Sequence, residues 1–61
     1  MRKFKVIDES GHGFALGAEV IHIGRSKYGD CVLVEGVDRD TGITIPQDVR
    51  IGSEVVEIFQ G

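Results

Sequence analysis

The stretch Asp38-Arg39-Asp40-Thr41-Gly42-Ile43-Thr44-Ile45-Pro46-Gln47-Asp48-Val49 decides the fold class. Asp and Gly at a chain reversal suit a short hairpin connection, with Gly42 free to take positive φ. Ile43-Thr44-Ile45 alternates apolar and polar as a short strand does. Pro46 cannot donate to a sheet ladder and is expected to end that strand. Gln47-Asp48-Val49-Arg50 then has the length of a single 3₁₀ turn near residues 46–50.

Working outward, short apolar runs and period-2 alternation recur, and no helical stripe of useful length accompanies them. Five strands are expected: about Lys3–Ile7, Glu19–Ile23, Cys31–Glu35, Ile43–Ile45 and Glu54–Phe59. Cys31-Val32-Leu33-Val34 is apolar on both faces, as in a central covered strand. Glu9-Ser10-Gly11-His12-Gly13 and Gly24-Arg25-Ser26-Lys27-Tyr28-Gly29-Asp30 carry turn residues and are read as loops, the first of them mobile with His12 exposed. The expectation is an all-β, single-domain protein over residues 1–61: a five-stranded small barrel whose terminal strands meet, bringing Lys3 and Lys5 near Glu54 and Glu57. Its core draws on Phe4, Val6, Val20, Val32, Val34, Ile43, Ile45, Val49, Val56 and Ile58.

With 61 residues and one cysteine, the chain has a thin core and no internal disulfide. Stability rests on the apolar residues, or on a partner or second copy, so a homo-oligomer is a standing alternative. Net charge is −3 and unevenly spread. Residues 1–29 hold Arg2, Lys3, Lys5, Arg25 and Lys27 against Asp8, Glu9 and Glu19, a net of +2. Residues 30–61 hold Arg39 and Arg50 against seven carboxylates, a net of −5. Cross-strand pairing between the halves is the plain reading; a bipolar surface that docks on a partner is the sharper one. The overall acidity disfavours a general nucleic-acid binder. Met1-Arg2-Lys3 is followed by Lys5, Asp8 and Glu9 rather than an apolar segment, and no run approaches the ~20 apolar residues of a membrane span. A soluble cytoplasmic chain with a reduced thiol and no membrane association is expected.

The segment from Gly42 to Val49 resembles the end of a Src-homology-3 barrel, where the distal hairpin leads to a strand, an Ile-Pro step, a one-turn helix and an apolar residue; Ile45, Pro46 and Val49 match. Leu16-Gly17-Ala18-Glu19-Val20 is similar to the Gly-acid-Val opening of the first long strand in such barrels. The resemblance spans residues 14–60 and implies a five-stranded Src-homology-3-like barrel. Peptide-binding members line a groove with aromatics including a tryptophan. This chain has no Trp, and Asp48 stands where a groove tyrosine would follow the proline. Recognition of proline-rich ligands is therefore disfavoured.

Candidate chemistry is sparse. His12, His22 and Cys31 are the only acid, base or nucleophile set beyond carboxylates, with no third group to orient a base, and no enzyme activity is expected. Cys31, opening the most apolar strand, reads as a buried inert thiol. Asp38-Arg39-Asp40-Thr41-Gly42 begins like a calcium loop, but Gly falls one place early and Val49 stands where a bidentate Glu is required. The spacing in Gly11-His12-Gly13-Phe14-Ala15-Leu16-Gly17 misses a dinucleotide fingerprint and lacks its βαβ context. No cofactor is expected. Arg25, Ser26 and Lys27 make the best small-anion candidate, against the reading of a solvated polar loop.

What remains is protein binding. Arg25, Lys27, Tyr28, Phe14, Asp38 and Asp40 are the candidate partner contacts, since Tyr and Arg are favoured interface anchors and the hairpin is acidic. The expected function is a non-catalytic interaction module that modulates a larger protein. In general terms the chain resembles short accessory proteins of phages and mobile elements, which implies inhibition of a host enzyme or defence factor. The alternative is a nucleic-acid or ribonucleoprotein-associated barrel using Arg25, Lys27 and Tyr28.

Overall fold

A computed structural model of the chain describes residues 1–59. Five strands form one antiparallel sheet: β1 (Lys3–Val6), β2 (Glu19–Arg25), β3 (Cys31–Val37), β4 (Thr44–Arg50) and β5 (Val55–Ile58). Their spatial order is β4-β3-β2-β1-β5, so the terminal strands β1 and β5 do pair. The sheet does not close into a barrel. β4 and β5 remain its two edges, and a single parallel bridge between Ile51 and Val55 links the chain beside them. No helix is present among the described residues, and none is long and apolar enough to cross a membrane.

The one-turn helix expected at 46–50 is instead strand. Asp38 N–H donates to Ile43 O at 2.8 Å, and hydrogen-bonded pairs alternate along an antiparallel ladder. Counting from Asp38–Ile43, Gly36–Ile45 is bonded and Glu35–Pro46 is not. The N–H that Pro46 lacks would therefore have pointed out of the open edge, where its loss breaks no ladder bond. The strand runs through the proline and carries Val49 to its place opposite Val32.

The hairpin itself forms as its residues dictate. Gly42, at φ 74°, returns its N–H to Asp38 O at 2.9 Å. One Asp38 carboxylate oxygen accepts from the N–H groups of Asp40 (2.7 Å) and Thr41 (3.2 Å), the local bonding that makes Asp a turn opener.

The core is Phe4, Val6, Phe14, Val20, Val32, Val34, Val49 and Val55, with Ala18 and Ile45 packed against it. Three expected core positions differ. Ile43 and Val56 are exposed and Ile58 is half-buried, while Val55 is buried. Both faces of the last strand carry apolar residues, and the register Val6–Val55 selects Val55 for the inside. That register also takes Glu57 out of the expected lysine–glutamate pairs. Lys3 and Lys5 stand opposite Ile58 and Val56, whereas Glu57 lies opposite Phe4 on the other face. Arg2, two residues before Phe4, reaches Glu57 instead through two bonds of 2.9 and 3.0 Å.

Residues 7–18 fold back over the sheet and are tied to it by hydrogen bonds. Gly13 N–H donates to Gln47 Oε1 at 2.7 Å, and Arg39 N–H to Gly13 O at 2.8 Å. The Arg39 guanidinium reaches Glu9 O (2.7 Å) and Phe14 O (3.1 Å). His12 is buried, not exposed. Its Nδ1 accepts from Phe14 N–H at 3.0 Å, so the proton sits on Nε2, which donates to Asp8 O at 2.6 Å. This strap seats Phe14 over Gly36 of β3, whose missing Cβ leaves room for the ring.

Candidate functional site

The six candidate contact residues do not form one patch. Arg25, Lys27 and Tyr28 lie at one end of β3, while Asp38 and Asp40 lie at the other, about 20 Å away at ~3.3 Å per residue along that strand. Phe14 is fully buried, pulled into the core by the strap, and its ring is not available as a surface anchor. Asp38 is half-buried and occupied in the hairpin turn; Asp40 is exposed.

The turn between β2 and β3 is built by local bonds. Ser26 Oγ accepts from Tyr28 N–H at 3.0 Å, and Tyr28 O accepts from Cys31 N–H at 3.2 Å. Tyr28 is 55 % exposed, with Lys27 Nζ 5.4 Å from its ring centroid. The pair presents a flat aromatic surface with a cation on it.

Behind this turn lies an open cleft of about 330 Å³ lined by Arg2, His22, Gly24, Arg25, Ser26, Cys31, Val32 and Ile51. Arg25's place in its wall follows from an irregularity in β2. The pairing runs Ile21–Glu35, His22–Val34, then Gly24–Leu33 and Arg25–Val32, so Ile23 is an extra residue. A strand without it would alternate Val20, His22 and Gly24 on the core side. The bulge puts Arg25, not Gly24, opposite the core residue Val32, so Arg25 joins His22 on the concave side. Arg2 faces them from β1's approach, where its carbonyl accepts from His22 N–H at 3.0 Å. Its guanidinium caps Phe4, 5.3 Å from the ring centroid.

The electrostatics follow the contacts. Hydrogen bonding to Glu57, reinforced by its charge, raises the Arg2 pKa above its ordinary value, and the same bond holds the Glu57 carboxyl below the usual carboxylate range. At the far loop, Ser10's N–H and hydroxyl hold Asp8 low. Arg25 makes no side-chain hydrogen bond or ion pair among the described residues. Cys31, expected as a buried inert thiol, is half-buried in the cleft wall. Among the described residues, no three of His, Cys, Asp or Glu converge so as to hold a metal ion.

The sequence singles out Arg25, Ser26, Lys27 and Tyr28; it gives no sign of Arg2, and it offers His22 as an acid or base candidate rather than as a neighbour of this loop. Nothing local signals their part in it: Arg2 joins the site through the β1–β2 pairing, and His22 shares a side with Arg25 only because of the bulge. No protein-family model, curated protein or solved structure matches the chain.

Proposed function

We propose that this protein is a non-catalytic, cytoplasmic interaction module of the Src-homology-3-like type that docks on a larger protein through the end carrying Arg25, Lys27 and Tyr28. The observation that carries the reading is the presentation of Tyr28. A large ring that leaves half its surface in water stands on a backbone held by two turn hydrogen bonds and carries a lysine, so little backbone freedom is lost on docking. Charge complementarity assigns an acidic patch to the partner. Asp40, at the opposite end, is a second contact for a partner large enough to span the sheet; Asp38 stays with its turn. The sharper form, an inhibitor of a host enzyme or defence factor of the kind phages carry, rests on the general resemblance to short accessory proteins.

The test is capture of partners on the tagged full chain, with and without nuclease, repeated with Tyr28→Ala and with Arg25→Glu/Lys27→Glu. One dominant, nuclease-resistant protein lost from the variants supports docking at this end; its activity is then assayed for inhibition. A Tyr28→Ala loss below about 0.5 kcal/mol removes Tyr28 as an anchor. The second reading, binding of nucleic acid, is favoured by the clustering of Arg2, Arg25, Lys27 and Tyr28 at one end. It requires nuclease-sensitive capture and an affinity that falls steeply with salt. Capture of the chain's own copies would instead make the docking a self-association.

A further inference from the structure

The geometry points to a phosphate-binding site in the cleft behind the β2–β3 turn, formed by the guanidinium groups of Arg25 and Arg2, the His22 ring and the Ser26 hydroxyl. This goes beyond the docking proposal and does not depend on it.

Four observations converge. The bulge at Ile23 turns Arg25 into the cleft, beside His22. The Arg25 guanidinium is unengaged by side-chain or backbone acceptors among the described residues, leaving its fork of N–H donors for a ligand. Ser26 Oγ already accepts from Tyr28 N–H, so its own proton is free to donate. Arg2 is fixed in place by Glu57 and by the Phe4 ring, yet its side chain remains 51 % exposed.

The donors come from separate elements: Arg2 ahead of β1, His22 and Arg25 from β2, and Ser26 from the turn. Convergence from several directions suits a tetrahedral oxyanion better than a planar carboxylate. The size agrees. At about 330 Å³ the cleft sits at the lower end of the ~300–1,000 Å³ range of ligand pockets, enough for a phosphate and a small substituent. No carboxylate lines the cleft among the described residues, and both oxygens of Glu57, which binds Arg2, are already engaged by that guanidinium.

The experiment is an amide-resolved NMR titration of the full chain with inorganic phosphate, ionic strength held constant with sodium chloride. Acetate serves as a planar control and phenyl phosphate as a monoester. Saturable shifts centred on Arg25, Ser26 and Cys31 are expected, absent with chloride or acetate. Arg25→Gln should weaken binding by about tenfold or more, the usual scale for a hydrogen bond to a charged group, and Ser26→Ala by less. Lys27→Gln, whose ammonium sits over Tyr28, should leave affinity within about twofold. Phenyl phosphate binding more tightly assigns the site to a phosphomonoester; equal affinity assigns it to the free ion. Shifts that chloride or acetate reproduces, or phosphate affinity unchanged in a folded Arg25→Gln protein, would overturn the assignment.

Discussion

Gly36→Ala probes the packing that organises this sheet. A Cβ at Gly36 would stand 2.6 Å from Val20 Cγ1 and 3.0 and 3.2 Å from two atoms of the Phe14 ring. Neither neighbour can retreat cheaply, since Val20 and Phe14 are both fully buried and Phe14's backbone is tied to His12 and Arg39. Overpacking of this kind costs about 1–3 kcal/mol. Replacing glycine with alanine also narrows the unfolded ensemble, which returns about 0.4–1 kcal/mol where the backbone is compatible. The net expectation is a loss of about 1–2 kcal/mol, and at about 4–8 °C per kcal/mol for a domain of this size a readily measured fall in Tm. Urea and thermal unfolding of the variant measure it, with Gly29→Ala as the control: nothing lies within 4 Å of a Cβ there, and stability should be unchanged or slightly higher. Adding Val20→Ala to Gly36→Ala removes the nearest clashing atom, so the pair should cost less than the sum of the singles by at least about 0.5 kcal/mol. A Gly36→Ala protein as stable as the parent would refute the placement of Phe14 against β3.

Three further outcomes follow from the contacts. His12→Ala strips the partner from the buried Phe14 N–H and should cost about 1–3 kcal/mol, with accelerated hydrogen exchange at Phe14 as the local readout. Gly42→Ala places a side chain at φ 74° and should destabilise by about 1 kcal/mol, read by denaturant midpoint, without disturbing the sheet's NMR pairing pattern. Asp8 and Glu57 have pKa values held low by Ser10 and Arg2, so each contributes stability that is fully present above the ordinary carboxylate range, about pH 4, and is lost as pH falls through the lowered values. Arg2→Gln should therefore flatten the acid limb of a stability–pH curve below about pH 5 while leaving its shape near neutrality unchanged.

Much of the strand inventory was legible because a strand with one covered face writes its own period. Phe4 and Val6 in β1, Val20 in β2 and Val32 and Val34 in β3 are read directly as core. The reading failed where two faces compete. In Val55-Val56-Glu57-Ile58-Phe59 either alternate set could face inward, and only the pairing of Val6 with Val55 chooses. Pro46 failed for a related reason. A proline stops a central strand but passes through an edge when its nitrogen faces outward, and edge position is a property of the sheet order. The candidate site divides in the same way. Arg25, Ser26, Lys27 and Tyr28 are contiguous and visible, whereas Arg2 and His22 enter through strand pairing.

By itself the sequence determined the all-β class, the positions of the turns, and the hairpin at Asp38–Gly42, because these rest on local backbone preferences and the period of two. The tertiary structure alone decided that the sheet stays open, that Phe14 and His12 are buried within a strap tied by Arg39 and Gln47, and that Arg25 lines the cleft. Each of these depends on which strands are neighbours and on a single extra residue at Ile23. One bulge inverts every side chain beyond it, so the chemistry at the end of β2 could not be read from alternation and needed the register with β3.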